Sequence, residues 1–193
     1  AILSEVLGYY MPIIPIFSSG VVFKHILMNS KKEKKDELLP EIISGEKIGT
    51  FAVYESDKYE IDQDTLNTQL TTTDSGYILS GNKKYVMFGD VSDYIAVLAK
   101  HEDGYKFVLV SSGSDGVTIK ETTSLDQTRP MCELEMSDVA LDSDAVLIEL
   151  DAELSEWNKV KNIALGYLAM EQVGASQACL DTVSYTHLSC RRR

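Results

Sequence analysis

The sequence has few of the features that mark specialised classes of protein. It contains only three cysteines among 193 residues, at Cys132, Cys179 and Cys190, which is too few for a disulfide scaffold or a zinc knuckle. We therefore interpret them as free thiols of a reducing compartment. No stretch approaches the roughly 18 consecutive apolar residues of a membrane span, and no secretory leader is recognisable. These features favour a globular, cytoplasmic protein without a membrane span.

Basic charge is also scarce. The formal net charge is −12, and residues 51–150 hold all of it, with seven basic and nineteen acidic side chains. Because binding to phosphates needs a basic footprint, this composition argues against a nucleic-acid partner. The sequence also lacks an HExxH or zinc spacing, a GxSxG elbow and a GxGxxG loop. The residues alone therefore identify no catalytic set and no metal site.

Residues 1–48 show the spacing of apolar side chains that is typical of helices, and we assign them to a helical domain. We expect Ser18 or Ser19 to cap one of these helices with its hydroxyl group. We expect Pro40 to begin a new turn, because proline suits a first helical turn and not an interior. Gly45 is expected to end the last helix.

Residues 49–150 change to the alternation that is typical of β-strands, clearest in Cys132–Met136. Turn signals recur along this region, at Gly76, Gly81, Gly104 and Gly116. Short strands joined by tight turns, without helices between them, predict an antiparallel barrel or sandwich. Residues 151–182 return to helical spacing and are rich in alanine, which predicts a helix with close neighbours on more than one side.

Three segments, in this order and at this separation, resemble the acyl-CoA dehydrogenase family. The first is Leu39–Glu46 (LPEIISGE) with Phe51–Glu55 (FAVYE), similar to the family's LPxxxxGE helix and FAxTE strand. The second is Gly76–Gly89 (GYILSGNKKYVMFG), similar to the family's GyxlxGxKxxVxxG. The third is Leu125–Val139 with the helical motif Leu168–Ala175. Together they extend over most of the chain.

The resemblance implies a helical domain, a middle β-domain and a C-terminal four-helix bundle. The sequence then contains part of the first (1–48), the middle domain (49–150) and the first bundle helix (151–182). Residues 183–193 depart from the family, and because Val183–Leu188 match a reading frame of a transposase sequencing adaptor, we interpret this tail as non-native. The expected fold class is α+β: a helical segment, an antiparallel β-barrel or sandwich, and the long helix of an incomplete bundle.

In the family, backbone groups of two strands hold the isoalloxazine ring of FAD. Carried over residue by residue, these strands are Phe51, Ala52, Val53 and Tyr54, and Tyr85, Val86 and Met87. Tyr85 keeps the aromatic character common there, whereas Met87 lacks a hydroxyl group that many members have. Tyr54 stands where threonine is common. Ser56–Glu60 replaces a Pro-x-Ala-Gly-Ser stretch, so the serine expected to meet the acyl-CoA is missing.

The resemblance implies a flavin-dependent dehydrogenase that oxidises an acyl-CoA thioester to the α,β-unsaturated (2-enoyl) thioester, with the hydride passing to FAD. The family's catalytic base is a glutamate. One of its two known positions aligns with Ala164, and alanine cannot act as a base. We interpret Glu171 as a partner of another side chain rather than as the base. No catalytic residue is therefore assigned in this chain, which by itself is expected to be inactive.

The resemblance leaves a second function open: a structural subunit that binds no flavin within a hetero-oligomeric acyl-CoA dehydrogenase. A third, the related acyl-CoA oxidase, is weaker because such chains are usually longer. The partners implied are an acyl-CoA substrate, an electron-transfer partner such as an electron-transfer flavoprotein, and further subunits of a homo- or hetero-oligomer.

Overall fold

A computed structural model of the protein describes residues 2–57, 61 and 65–188. The helices that precede the sheet are α1 (Ile2–Tyr10), α2 (Ile16–Phe23, with wide π-type turns), α3 (Lys24–Met28) and α4 (Lys32–Ser44). The long helix α5 (Ser155–Val183) follows the sheet and continues into a π-type turn (Ser184–Leu188). Residues 189–193 of the predicted tail, which include Cys190, lie outside the described residues.

Eight strands form one sheet between these helices. They are β1 (Gly49–Ala52), β2 (Gln69–Thr73), β3 (Gly76–Met87), β4 (Tyr94–His101), β5 (Gly104–Ser111), β6 (Val117–Thr122), β7 (Met131–Asp142) and β8 (Val146–Leu150). The strand order is β6-β7-β3-β2-β4-β5-β8, and β1 pairs with β4 beside this path. Strands flanked by helices confirm the predicted α+β class.

The predicted antiparallel barrel or sandwich is confirmed as a sheet of mostly antiparallel strands, with two differences from a closed antiparallel barrel. The sheet is open, with β6 and β8 at its two ends, and β4 pairs in parallel with both β1 and β2. Both parallel partners lie along the same edge of β4: β1 pairs with Tyr94–Val97, and β2 pairs with Lys100. The alternation of residues defines each strand and its faces, but it does not define which strand is the neighbour.

Strand β4 is buried on both faces and separates two hydrophobic cores. Ile95 and Val97 face the core within the folded sheet, together with Val108, Leu134 and other strand residues. Ala96 and Leu98 face the second core, which lies between the sheet and the helices. This second core contains Phe23, Ile26, Phe51, Phe107, Trp157 and Val160.

Two predictions about the first helices are wrong. Neither predicted serine caps α2, because this helix begins at Ile16 and both serines lie inside it. The Ser18 hydroxyl donates to the Pro15 carbonyl at 3.2 Å. The Ser19 hydroxyl accepts the Gly49 N–H at 3.1 Å. Pro40 lies inside α4 instead of starting a turn. Pro40 is exposed, so water can reach the carbonyl group that its missing N–H leaves without a helical partner.

Gly45 ends α4 as predicted, with a left-handed φ of 78°. The turns at Gly76, Gly104 and Gly116 are also confirmed. The turn predicted at Gly81 is wrong, because this residue lies inside β3 at an irregularity of the pairing with β7. A Cβ atom there would lie 2.5 Å from the Thr68 hydroxyl oxygen, so the glycine permits a close approach of β2 rather than a turn.

Helix α5 has one side on the sheet and a second side on α1. Trp157, Val160 and Ala164 are buried against the sheet, as the predicted need for several neighbours implies. Leu165, Val173 and Leu180 remain about half exposed. No helix in the described part of the chain combines the length and the apolar character needed to cross a bilayer.

The contact between α1 and α5 depends on two glycines. A Cβ atom at Gly8 would lie 1.9 Å from the carbonyl oxygen of Glu171, and one at Gly174 would lie 1.9 Å from the carbonyl oxygen of Glu5. Distances this short are incompatible with any side chain, so the two backbones touch directly. The Tyr9 hydroxyl extends the contact by donating to Asp181 at 3.1 Å.

We expect Gly8→Ala to lower the free energy of unfolding by about 1–3 kcal/mol, because the added methyl group forces the helices apart. Urea denaturation followed by circular dichroism measures the change. Gly166→Ala is the matched control: this glycine lies on α5 with nothing within 4 Å of its added Cβ, so the better helix former should raise stability by up to about 1 kcal/mol. Equal effects of the two substitutions would contradict the close crossing.

Candidate functional site

The seven residues predicted to hold the flavin lie at the neighbouring ends of β1 and β3. Phe51 and Ala52 belong to β1, whose pairing with β4 ends at Ala52 opposite Val97. The predicted strand Phe51–Glu55 is therefore too long, because Val53 and Tyr54 leave β4 and bond to β3 instead. Strand β3 ends at Met87.

Three hydrogen bonds hold these two segments side by side. The Thr50 hydroxyl donates to the Met87 carbonyl at 2.6 Å. The Lys84 N–H donates to the Tyr54 carbonyl at 2.8 Å, and the Lys83 ammonium donates to the Val53 carbonyl at 3.3 Å. Tyr85 and Val86 lie between these cross-links. The arrangement fixes the two strand ends relative to each other without pairing them along their length.

A bulge interrupts the pairing of β3 with β7 at Lys84 and Tyr85, and the pairing resumes at Val86 and Met87. The register with β7 shifts between Lys83 and Val86, and Tyr85 adopts a left-handed φ of 58°. Phe88, three residues later, is also left-handed with a φ of 54°. For residues other than glycine this conformation costs about 1–2 kcal/mol each. Such strain concentrates at functional sites, where the surrounding structure maintains it.

The side chains of the seven predicted residues differ in what they can contact. Phe51, Ala52, Val53 and Val86 are buried, and the Phe51 ring packs between Phe17 and Trp157 at centroid distances of 6.4 and 6.0 Å. Tyr54 and Met87 are half-buried. Tyr85 is 44% exposed, and its hydroxyl donates to Asp57 at 2.5 Å. Contact of these residues with a flavin stays a prediction, and Lys58–Glu60 of the replaced stretch lie outside the described residues.

A buried ion pair, which the sequence did not lead us to predict, lies next to this site. The Lys83 ammonium lies 2.7 Å from the Glu55 carboxylate, with side-chain exposures of 0% and 8%. Burial lowers the pKa of Lys83 to about 8, although the neighbouring Glu55 opposes this effect. Burial would raise the pKa of Glu55, but Lys83 and the hydrogen bonds from Thr68 and Asn67 outweigh it and lower that pKa. The two residues are visible in the sequence motifs, because Glu55 ends the motif FAVYE and Lys83 is the first lysine of GNKK.

A small cavity of about 40 Å³ lies next to the end of β3, where α1, α2 and α5 meet the sheet. Its wall is mostly apolar and includes Met11, Ile14, Phe17, Met87, Phe88 and Tyr167. The one ion pair among its lining residues joins Arg129 to Glu171 at 2.6 Å, and the guanidinium also lies 5.8 Å from the centre of the Phe17 ring. Glu171 is thus an ion-pair partner, as predicted, and Ala164 is buried in the core between helix and sheet.

Lys83 should make stability depend on pH in a defined window. The folded protein releases the lysine proton near pH 8 and the unfolded chain near its ordinary pKa of 10.5, so unfolding takes up a proton between these values. The free energy of unfolding of the wild type should therefore rise relative to that of Lys83→Met between pH 8 and pH 10. Chemical denaturation across this range measures it, and parallel curves would contradict the shifted pKa.

Comparisons with known proteins agree with this architecture. Residues 50–139 match the family model described as "Acyl-CoA dehydrogenase, middle domain". The mitochondrial isovaleryl-CoA dehydrogenase of Solanum tuberosum is 25% identical over 179 residues, which cover 86% of this chain and 42% of that relative. The corresponding enzyme of Pongo abelii is 27% identical over 189 residues, which cover 88% and 42%. The chain thus spans about two fifths of the length of the curated relatives it matches.

Solved structures extend the similarity to the fold. A glutaryl-CoA dehydrogenase from Mycobacterium smegmatis in complex with FADH2 superposes with a TM-score of 0.79 at 26% identity, covering 89% of this chain and 45% of that one. The butyryl-CoA dehydrogenase from Megasphaera elsdenii gives a TM-score of 0.85 at 21% identity, covering 95% and 51%. The middle-domain match and the relatives that extend beyond it on both sides make most of the chain similar in sequence to acyl-CoA dehydrogenases, and the solved structures show that it shares their fold.

Proposed function

We propose that the protein acts as a flavin-dependent acyl-CoA dehydrogenase, which oxidises an acyl-CoA thioester to the 2-enoyl thioester. Bound FAD would supply the chemistry that this chain's side chains lack, because it accepts a hydride. The observation that carries the proposal is the pair of cross-linked strand ends, Thr50–Tyr54 and Lys84–Met87. Relatives and neighbours named for isovaleryl-CoA, glutaryl-CoA and butyryl-CoA support the class of substrate.

The backbone of these strand ends fits a ligand that is held by main-chain groups. A planar ring bound in this way needs N–H and C=O groups that the sheet does not consume. The bulge at Lys84–Tyr85 interrupts the pairing with β7, and β1 stops pairing with β4 after Ala52. Residues 51–54 and 85–87 would hold the FAD through the backbone groups that remain, because the carbonyl groups of Val53, Tyr54 and Met87 already accept hydrogen bonds within the protein. The exposed Tyr85 ring would cover it on one side.

The reaction also needs a substrate, an electron acceptor and a catalytic base, none of which we assign to residues of this chain. An acyl-CoA would enter as substrate, and an electron-transfer partner such as an electron-transfer flavoprotein would reoxidise the FAD. A glutamate base is required, but Glu171 is committed to Arg129 and Ala164 has no basic group. We expect the protein to work as a homo- or hetero-oligomer.

A second candidate is a structural subunit without flavin in a hetero-oligomeric acyl-CoA dehydrogenase. Two residues favour it: Met87 offers no hydroxyl group to a flavin, and the half-buried Tyr54 is bulkier than the threonine common there. The neighbour described as the ChsE4-ChsE5 complex from Mycobacterium tuberculosis shares the fold, with a TM-score of 0.81 at 20% identity. Flavin content separates the two candidates directly.

We expect the protein, produced from its complete coding sequence, to retain one FAD per protomer, and Tyr85→Gly to weaken FAD binding about tenfold through the loss of an aromatic contact. Glycine keeps the left-handed backbone at this position. Asp138→Gly is the matched control, because Asp138 is a second exposed left-handed residue, with a φ of 51°, on β7. Fluorescence titration with FAD measures binding. A purified wild type without flavin would establish the structural subunit instead.

A further inference from the structure

We propose that Glu55 and Lys83 are positioning residues for the flavin ring. Their buried ion pair holds the ends of β1 and β3 at the separation at which both segments can contact one cofactor. The inference rests on the proposed function, since it assigns two residues that act through the backbone of the flavin site rather than by touching the flavin.

Lys83 connects β3 to the residues that follow β1. Its ammonium group has no exposed surface and donates to the Val53 carbonyl at 3.3 Å and to the Glu55 carboxylate at 2.7 Å. The next residue, Lys84, donates its N–H to the Tyr54 carbonyl at 2.8 Å. Two neighbouring residues of β3 therefore bond to three consecutive residues after β1. Tyr85, the left-handed residue of the site, follows directly.

Glu55 connects Lys83 to residues 67–68, which lie directly before β2. Its carboxylate accepts the N–H groups of Asn67 at 2.6 Å and Thr68 at 3.0 Å, and the Thr68 hydroxyl at 2.6 Å. Thr68 is itself fixed, because its carbonyl accepts the N–H of Lys100 at 2.9 Å and it packs against Gly81. With Lys83, the carboxylate thus has four donors from two other parts of the chain, residues 67–68 and β3. It joins β1, β2 and β3 next to the flavin site.

Stability alone does not account for this pair. A buried ion pair is often no more stabilising than apolar side chains of similar volume, because both charges lose their water. Its distinctive property is directional: the ammonium must lie between one carbonyl and one carboxylate, which sets the distance between the strand ends. Apolar side chains would fill the space without fixing that distance. We therefore assign the pair to alignment of the binding backbone.

Glu55→Gln and Lys83→Met test the inference in the complete, flavin-loaded protein. Each should raise the dissociation constant for FAD at least tenfold and alter the visible absorption and circular dichroism of the bound flavin. The matched control is Lys120→Met or Glu135→Gln, from an ion pair on the same sheet with the same 2.7 Å separation but side chains 54% and 43% exposed. The control variants should bind FAD with wild-type affinity and spectrum.

The spectrum separates positioning from folding, because it is measured at a temperature at which far-ultraviolet circular dichroism shows each variant to be folded. Glu55→Gln preserves the shape of the side chain and one of its two acceptor oxygens, so it serves if Lys83→Met does not fold. Folded variants with wild-type FAD affinity and flavin spectrum would overturn the inference while leaving the proposed function intact. A wild type that binds no FAD would overturn the proposed function, and the inference with it.

Discussion

Strand β4 has to be covered on both faces, and the rest of the structure is arranged around that requirement. Its residues alternate between two cores, with Ile95 and Val97 on one side and Ala96 and Leu98 on the other. A strand that is apolar on both faces needs a layer on each side. The folded sheet supplies one layer, and the helices before and after the sheet supply the other. Strand β1 is fixed by its pairing with β4, so the candidate flavin site inherits its position from this strand.

The periodicity of apolar residues was sufficient to predict the helical and β regions, but not how the strands pair. Alternation at Cys132–Met136 follows from one buried and one half-buried face, which is a local property, and the structure confirms it. The open edge of the sheet and the parallel neighbours of β4 depend on contacts between residues far apart in the chain. Pro40 and Gly81 show the same limit. Proline usually starts a helical turn, but Pro40 lies inside a helix on its exposed face. Glycine usually marks a turn, but Gly81 lies inside a strand where Thr68 comes close.

The candidate site was also predicted only in part from the sequence. The seven residues of the two strand ends were found through family motifs, because backbone contacts with a ligand leave little trace in side-chain chemistry. The Glu55–Lys83 pair was not found, since a fully buried lysine contradicts the usual exposure of this residue type. Only the structure shows that these residues, 28 apart in the chain, lie within 2.7 Å of each other. The left-handed Tyr85 is equally invisible to sequence reasoning, because bulky residues seldom adopt that conformation.

The direct contact of α1 with α5 has a consequence for the order of folding. The hydrogen bond from Tyr9 to Asp181 closes a loop of 172 residues, and contacts of such long range form slowly because the chain entropy is lost before they bring any gain. Helix α1 is also synthesised before the whole sheet, whereas its partner comes after it. During synthesis α1 therefore has no packing partner until α5 has been made. The hairpins β2–β3, β4–β5 and β6–β7 join strands that are neighbours in sequence, so they can form before the two glycines bring α1 and α5 together.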